Sequence, residues 1–360
     1  MNSRERFIRC MHFEPVDHVP WWEGWYWPET VERWHREGLP RDVHVVEYFG
    51  LERHESAGID LGPVPPFEEE VLSETEDYRV RRRSDGVVVQ ELKARGPKDQ
   101  MPRWLEFPIK TRADWEEFKK RLDPNSPCRY PPWWEDKKRC WRDRDYPLCI
   151  HAGSLYGRLR NWIGMENLAY LFYDDPIWVH DMMEYLTEFY CRTIERAVKE
   201  VDFDYAIFGE DIAYKNGPLL SPKIVKEFMV PRYKRITRLL RENGIDIIFI
   251  DSDGNVEELI PLWLEAGING VYPLEVAAGM DPVALRKKYG KNLVMMRGID
   301  KRALIEGKDA IDRELESKLP YLCREGGYIP GCDHLVPPDV SLENYLYFLE
   351  RMKEITLRCH

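Results

Sequence analysis

The stretch IDIIFIDSDGNVEELIPLWLEAGINGVYPLE, residues 245–275, decides the fold. It opens on a nearly unbroken apolar run, IDIIFIDSD (245–253), rich in β-branched residues and preceded by Gly244. That is the pattern of a short strand buried on both faces. A helical stretch follows, Gly267 closes it, and a second apolar run, INGVYPLE (268–275), begins at once. Strand, helix and strand over about thirty residues make a βαβ unit, whose strands run parallel.

The same punctuation extends in both directions. Further apolar runs are PLCIHAG (147–153), DYAIFGED (204–211), NLVMMRG (292–298) and GYIPGCDH (327–334). Asp175-Pro176, Ser221-Pro222 and Asp281-Pro282 each set a capping side chain before a proline at the first helical position, and Ser341 opens SLENYLYFLERMKEI. Gly244, Gly267 and Gly290 each close a helix before the next strand. Two earlier strands are expected: HVPWWEG (18–24), after a helix around 3–12, and SAGIDLG (56–62), after a helix around 28–37. Eight parallel strands with intervening helices predict an α/β fold, a single (β/α)8 TIM barrel over residues 1–360. An open doubly wound sheet is the alternative.

Between the second and third strands lies an insertion of about residues 63–146. Within it, YRVRRRSDGVVVQELKA (78–94) reads as a β-hairpin turning at Ser84-Asp85-Gly86, and TRADWEEFKKRLDP as a short helix. Residues 123–146 read as a surface connection, with PPWWEDKK and CWRDRD as candidate contact surfaces, among them those of a homodimer.

Composition narrows the function classes. The chain has 53 Lys and Arg against 64 Asp and Glu, a formal charge of −11, which disfavours nucleic acid as a partner. No apolar run approaches the ~20 residues of a membrane span, and the first twenty residues lack the apolar core of a signal peptide. Eight scattered cysteines without a CxxC pair read as reduced thiols, and together these features predict a cytoplasmic protein. One feature is unusual: four of the 13 tryptophans crowd into WWEGWYW (21–27).

The chemistry-bearing residues gather at the ends of the expected strands. His151, Glu210-Asp211, Asp251-Ser252-Asp253, Glu275, Arg297 and Cys332-Asp333-His334 each follow an apolar run. In a barrel these positions share one mouth. Each has a plain structural reading as well: Asp253 before Gly254-Asn255 as a helix cap, Arg297 as a neutraliser of nearby acids, His151 as a hydrogen-bonded structural histidine. Crowded carboxylates raise one another's pKa, which suits acid–base work, a metal or a cationic ligand. No GxGxxG or GxxxxGK loop, GxSxG elbow or HExxH helix is present.

The pieces GEDIAYKNGPLLSPKIVKEFMVPRYKRI, the opening stretch, MRGIDKRAL and GGYIPGCDHLVPPDVSLENYLYFL, in this order and spacing, resemble the uroporphyrinogen decarboxylase superfamily. That superfamily also contains corrinoid-dependent methyltransferases, and the resemblance implies a single (β/α)8 barrel. Its decarboxylases hold a polycarboxylated tetrapyrrole with arginines in a motif like RQAGRYLPEY after the first strand. Here that place is taken by WWEGWYWPETVERW, with no arginine before Arg33. Its zinc methyltransferases carry an HxC pair at the fifth strand and a Cys in a PGC segment after the eighth. Cys332 falls on the PGC position, but Asp251 and Asp253 fall on the HxC pair.

The resemblance therefore implies a methyltransferase moving a methyl group from a small methoxylated or methylated-amine donor to a corrinoid (cobalamin) on a partner protein. The expected catalytic residues are Asp211, Asp251, Asp253, Arg297 and His334. Trp21, Trp22, Trp25, Tyr26, Trp27, His151 and Glu210 are expected to contact substrate, the aromatic rings by stacking or as a cage for a quaternary ammonium. A divalent metal, zinc, is expected on Asp251, Asp253, Glu275 and Cys332. The alternatives are a decarboxylase or lyase for a smaller carboxylated substrate, held by Arg297, and a non-catalytic barrel that binds a tetrapyrrole or small ligand.

Overall fold

The computed structural model describes residues 1–93 and 101–359. Ala94, the last residue of the expected hairpin, and part of the insertion lie outside them.

The apolar runs pair edge to edge. Strands β1 (Glu55–Ser56), β2 (Leu148–Gly153), β3 (Tyr205–Gly209), β4 (Ile248–Asp251), β5 (Gly270–Tyr272), β6 (Val294–Met296) and β7 (Tyr328–Ile329) form one sheet in that order, every neighbouring pair parallel. Helices follow the strands, among them Pro176–Glu200, Val230–Glu242, Pro282–Tyr289 and Lys308–Glu325. The proline-preceding caps work as their chemistry dictates. Asp175 accepts from Trp178 N–H, Ser221 from Ile224 N–H and Asp281 from Val283 N–H. The architecture is an α/β half-barrel of parallel strands, consistent with a TIM-type barrel.

Among the described residues the sheet has seven strands where eight were expected. Residues 18–24 run beside it without forming a ladder. Pro20 has no N–H to give, and Gly24 turns at φ +136°. The segment is tied by Glu52 N–H to the Trp21 carbonyl (3.0 Å) and, just beyond it, by a parallel bridge between Tyr26 and Val336. The second expected strand, at 56–62, is reduced to Glu55–Ser56. Gly58 turns at φ +69°, and the Asp60 and Gly62 carbonyls are taken by the guanidinium of Arg129.

The segment between β1 and β2 carries its own antiparallel sheet of Glu70–Glu74, Tyr78–Arg82, Val88–Leu92 and Arg103–Glu106. Arg82 pairs with Val88 around the turn containing Gly86 at φ +87°. The helix Arg112–Lys119 rests on the main body through Phe118 against Trp162, centroids 4.6 Å apart, and Trp115 against Tyr185, 5.6 Å. Residues 123–146 are more than a surface connection. They contain the helix Trp134–Arg142, whose Trp134 and Trp141, two turns apart, are both buried. Of the aromatic residues expected there as contact surface, Trp133 is exposed. All eight cysteines are free, and no helix among the described residues is long and apolar enough to cross a membrane.

Candidate functional site

Strand alternation sets the floor of the site. Residues in register across a parallel ladder point to the same face, and Ile207 pairs with His151 and Phe249, two residues before Gly209 pairs with Asp251. Asp251 is in turn in register with Tyr272. Ile207, Tyr205, Tyr272 and Met296 line a cleft inside the sheet's curve, closed over by Trp22, Trp25 and Arg297. Asp251 therefore stands on the cleft face. Gly209 beside it leaves open space, with nothing within 4 Å of where a Cβ would sit. Burial, then the charges of Asp211 and Asp253, push the Asp251 carboxyl up to about 7. It has no ion-pair partner among the described residues.

The other carboxylates are already engaged. Glu210 is sealed inside, accepting from the N–H groups of Leu155 (2.7 Å) and Gly157 (2.9 Å) and the hydroxyls of Ser154 (3.1 Å) and Tyr233 (2.7 Å). Burial raises its pKa against those four donors. It fixes the loop after β2 and offers no free edge to a substrate. Asp211, at φ +45°, is exposed and 3.4 Å from Arg160. Asp333 is fully buried, accepting from Val276 N–H and Lys301 N–H, with the Lys301 ammonium 3.8 Å away. His334 Nε2 lies 3.3 Å from Asp253 Oδ2. Burial pulls the His334 pKa down, but the hydrogen bond and charge of Asp253 outweigh it and the net direction is up. Glu275 accepts from Gly254 N–H at 2.8 Å. The expected acidic bowl is thus a set of pairs, in which Asp251 has the Tyr272 hydroxyl and the charge of Arg297 near it but no ion-pair partner among the described residues.

The aromatic run does mostly structural work. Trp22 stacks on Phe7 (4.8 Å) and on His54 (4.6 Å). Trp21 stacks on His18 at 3.9 Å and donates its Nε1–H to Thr356. Tyr26 shares a hydroxyl contact with Tyr345 at 2.8 Å, and the Trp27 carbonyl begins the helix Pro28–Arg36. Only Trp22 and Trp25 of the five line the cleft. Within the same run, Glu23 is fully buried. It accepts from Cys332 N–H at 2.6 Å and lies 3.4 Å from Arg297 Nη1. Burial and the Glu23 charge hold the Cys332 thiol well above its usual pKa, so it is protonated and enclosed. His151 is exposed, and desolvation, then the charge of Arg158, lowers its pKa.

The sequence reading passed over Glu23, His54, Tyr272 and Lys301. The charge of Glu23 amid tryptophans was a visible signal. Tyr272, two residues after Gly270 on an apolar strand, was a cleft position by alternation. His54 precedes a strand whose start was placed too late, so nothing marked it. Burial and then the charge of Arg297 lower its pKa to about 4.

A family model described as uroporphyrinogen decarboxylase (URO-D) matches residues 96–355. The chain belongs to this family. Among solved structures, a methyltransferase from Methanosarcina mazei aligns with 98% of this chain and 99% of its own, at TM-score 0.64 and 16% identity, a likeness of fold. A B12-independent methionine synthase from Shewanella sp. W3-18-1, in complex with selenomethionine, aligns over 86% of this chain and 84% of its own, at TM-score 0.42 and 10% identity. No curated protein matches the chain.

In this URO-D family member two of the expected metal ligands, Asp253 and Glu275, fall in a candidate group with His334. Asp253, Glu275 and His334, from the loops after β4, β5 and β7, place ligand atoms within 4.8 Å of one another. Asp251 and Cys332 are not in that group. Two carboxylates and an imidazole are a donor set suited to a divalent ion such as Zn²⁺. The enclosed, protonated Cys332 does not suit one.

Proposed function

We propose that this chain is a UroD-like methyltransferase. It takes a methyl group from a small methoxylated or methylated-amine donor and delivers it to a corrinoid carried on a separate protein in the cytoplasm. In this reading residues 18–24 complete a (β/α)8 barrel around the cleft. The observation that carries the proposal is the placement of Asp251: on the cleft face, beside the gap at Gly209, with no ion-pair partner among the described residues. Breaking a methyl–oxygen or methyl–nitrogen bond leaves the electron pair on the heteroatom, which must receive a proton or a Lewis acid. Asp251 is the side chain placed to give that proton. The corrinoid supplies the nucleophile for the methyl carbon. Asp253, Glu275 and His334 would hold a divalent ion, whose contribution is Lewis acidity. The Methanosarcina mazei likeness adds support at the level of fold.

The test is incubation of the protein with a reduced corrinoid protein and a panel of methyl donors, followed by absorbance of the methylated corrinoid. Methylation with at least one donor is expected, and Asp251→Asn should lower the rate about 100-fold or more. A wild-type protein that methylates no corrinoid with any donor, or an Asp251→Asn variant with full activity, defeats the reading. The lyase alternative draws on one observation, a buried arginine in the cleft. Carbon dioxide release without a corrinoid would favour it.

A further inference from the structure

A lysine stands beside the three candidate metal ligands. Lys301 opens the helix Lys301–Glu306 after β6, and its backbone is fixed there. Its N–H donates to Asp333 Oδ1 at 3.1 Å, and the preceding Asp300 caps the helix by accepting from Arg302 N–H. The side chain is held differently. Its ammonium lies 3.7 Å from Glu275 Oε1 and 3.8 Å from Asp333 Oδ1, and the side chain is 23% exposed. Both distances are ion-pair contacts beyond hydrogen-bond length. Lys318 shows the other arrangement: its buried ammonium donates to the Gly298 carbonyl at 2.9 Å and pairs with Glu314. Among the described residues the Lys301 ammonium is held by charge alone, at the end of a flexible four-carbon stem.

That ammonium and a divalent ion cannot both sit on Glu275 without cost. Glu275 Oε2 already accepts from Gly254 N–H at 2.8 Å, and Oε1 faces Lys301. An ion draws a carboxylate oxygen to about 2.0–2.2 Å. On Glu275 it would stand a few ångströms from the ammonium, two like charges in a partly buried place where water screens them weakly. The Lys301 charge also reaches the third ligand. At His334 burial lowers the pKa most, the hydrogen bond and charge of Asp253 raise it, and Lys301 opposes that rise. Asp333 gives the ammonium somewhere to go. It is completely buried, lies outside the group of three, and already binds the Lys301 backbone. A side chain displaced from Glu275 keeps that carboxylate as its partner.

We infer that Lys301 competes with a divalent ion for Glu275, and so sets how tightly Asp253, Glu275 and His334 hold that ion. The inference rests on the metal site of the proposed function and not on the methyl transfer itself. Binding is then an exchange of one cation for another: the ion takes Glu275 and the ammonium withdraws to Asp333. Glu275 keeps a positive charge beside it throughout, which accounts for a lysine placed among acids that a metal would otherwise neutralise.

Calorimetric titration of the whole protein with Zn²⁺, without corrinoid, measures the affinity, and His334→Gln shows that the binding is at this site. Lys301→Met should bind Zn²⁺ about tenfold tighter or more, because the repelling charge is gone. Lys301→Arg keeps the charge and should gain nothing. A lysine that merely supports the loop predicts the opposite, since removing a support loosens a site. Equal or weaker binding by Lys301→Met overturns the inference. A second measurement needs no variant: acylation of the wild-type lysines, read by peptide mass spectrometry with and without saturating Zn²⁺. Labelling of Lys301 should change when Zn²⁺ is added while that of Lys318 stays constant, and unchanged labelling of Lys301 overturns the inference as well. Zinc binding that His334→Gln abolishes but Lys301→Met leaves as it was would defeat the competition and leave the metal site standing. No zinc binding by the wild-type protein or by Lys301→Met would defeat the metal site and the competition together. Tighter binding by Lys301→Met with no methyl transfer from any donor would defeat the methyl-transfer reading alone.

Discussion

Asp251 and Glu210 show how far a single residue type in a single pattern can be read. Both end apolar runs, and in the sequence they are equivalent. The structure separates them by what their neighbours donate: four hydrogen bonds reach Glu210, while Asp251 has Tyr272 alone beside it and the gap at Gly209. Donors on Ser154, Leu155 and Gly157 belong to the loop after β2, far away in the chain, so no local signal could distinguish the two acids. His54 offers a direct check on the cleft's electrostatics. Burial and the nearby charge of Arg297 hold its pKa at about 4, below its ordinary value of 6.5. Its imidazole should therefore show no protonation shift by NMR between pH 8 and 5. The sign for stability follows: the unfolded chain binds the proton first, so this contribution is intact above about pH 6.5 and lost as pH falls toward 4. His54→Asn should flatten that part of the stability–pH curve. A His54 that titrates near 6.5 would mean the cleft is far wetter, or less positive, than the structure has it.

At the scale of elements, strand positions were legible because each β strand after β1 is a short apolar run bounded by glycine, proline or a carboxylate. The contacts between the loops they carry were not. The hairpin of Ala213–Tyr214 and Gly217–Pro218 follows β3 and sits on the loop after β4. Ile212 N–H donates to Ser252 Oγ at 3.0 Å, and Asn255 N–H to the Tyr214 carbonyl at 3.0 Å. Gly254 makes that seat possible. It has φ +82°, and a Cβ there would lie 2.8 Å from the Tyr214 backbone. Gly254→Ala should destabilise the protein by about 1–3 kcal/mol, with faster amide exchange concentrated in residues 212–219. Uniform loss of protection, or none, would contradict this seating. The neighbouring Asp253 tests a second consequence of loops converging. If Asp253, Glu275 and His334 hold Zn²⁺, zinc at a hundredfold excess over its Kd should stabilise the wild-type protein by about 2.7 kcal/mol. His334→Gln should abolish that gain, while Cys332→Ser should preserve it because the thiol lies outside the cluster. A zinc-induced rise in Tm that depends on Cys332 would restore the thiolate set expected from the family.

The whole molecule raises the question of whether the long segment between β1 and β2 is an appendage or part of the body. In the sequence it looks like an excursion, because its hairpin and short helix could fold over any surface. Arg129 argues that it is integral. It is completely buried, and its guanidinium donates to four backbone carbonyls, those of Asp60, Gly62, Arg121 and Asp123. One side chain thereby joins the stretch leaving β1 to the end of the inserted helix. Phe118 on Trp162 and the tight approach of Phe107 to Gly164 press the same region against the helix after β2. Such a joint, made from residues dispersed over seventy positions of the chain, has no sequence pattern to reveal it. It predicts that the wild-type protein unfolds in one cooperative transition. Arg129→Met removes the donors: the Arg121 and Asp123 carbonyls keep the N–H groups of Val64 and Ser126, but those of Asp60 and Gly62 lose the guanidinium, which should cost about 1–3 kcal/mol for each. If the insertion is integral, the variant's Tm falls while unfolding stays single-stepped, and limited proteolysis opens the insertion and the main sheet together. A variant whose insertion is cleaved at once while the remaining sheet keeps the wild-type Tm would show that the segment folds on the body without being part of it.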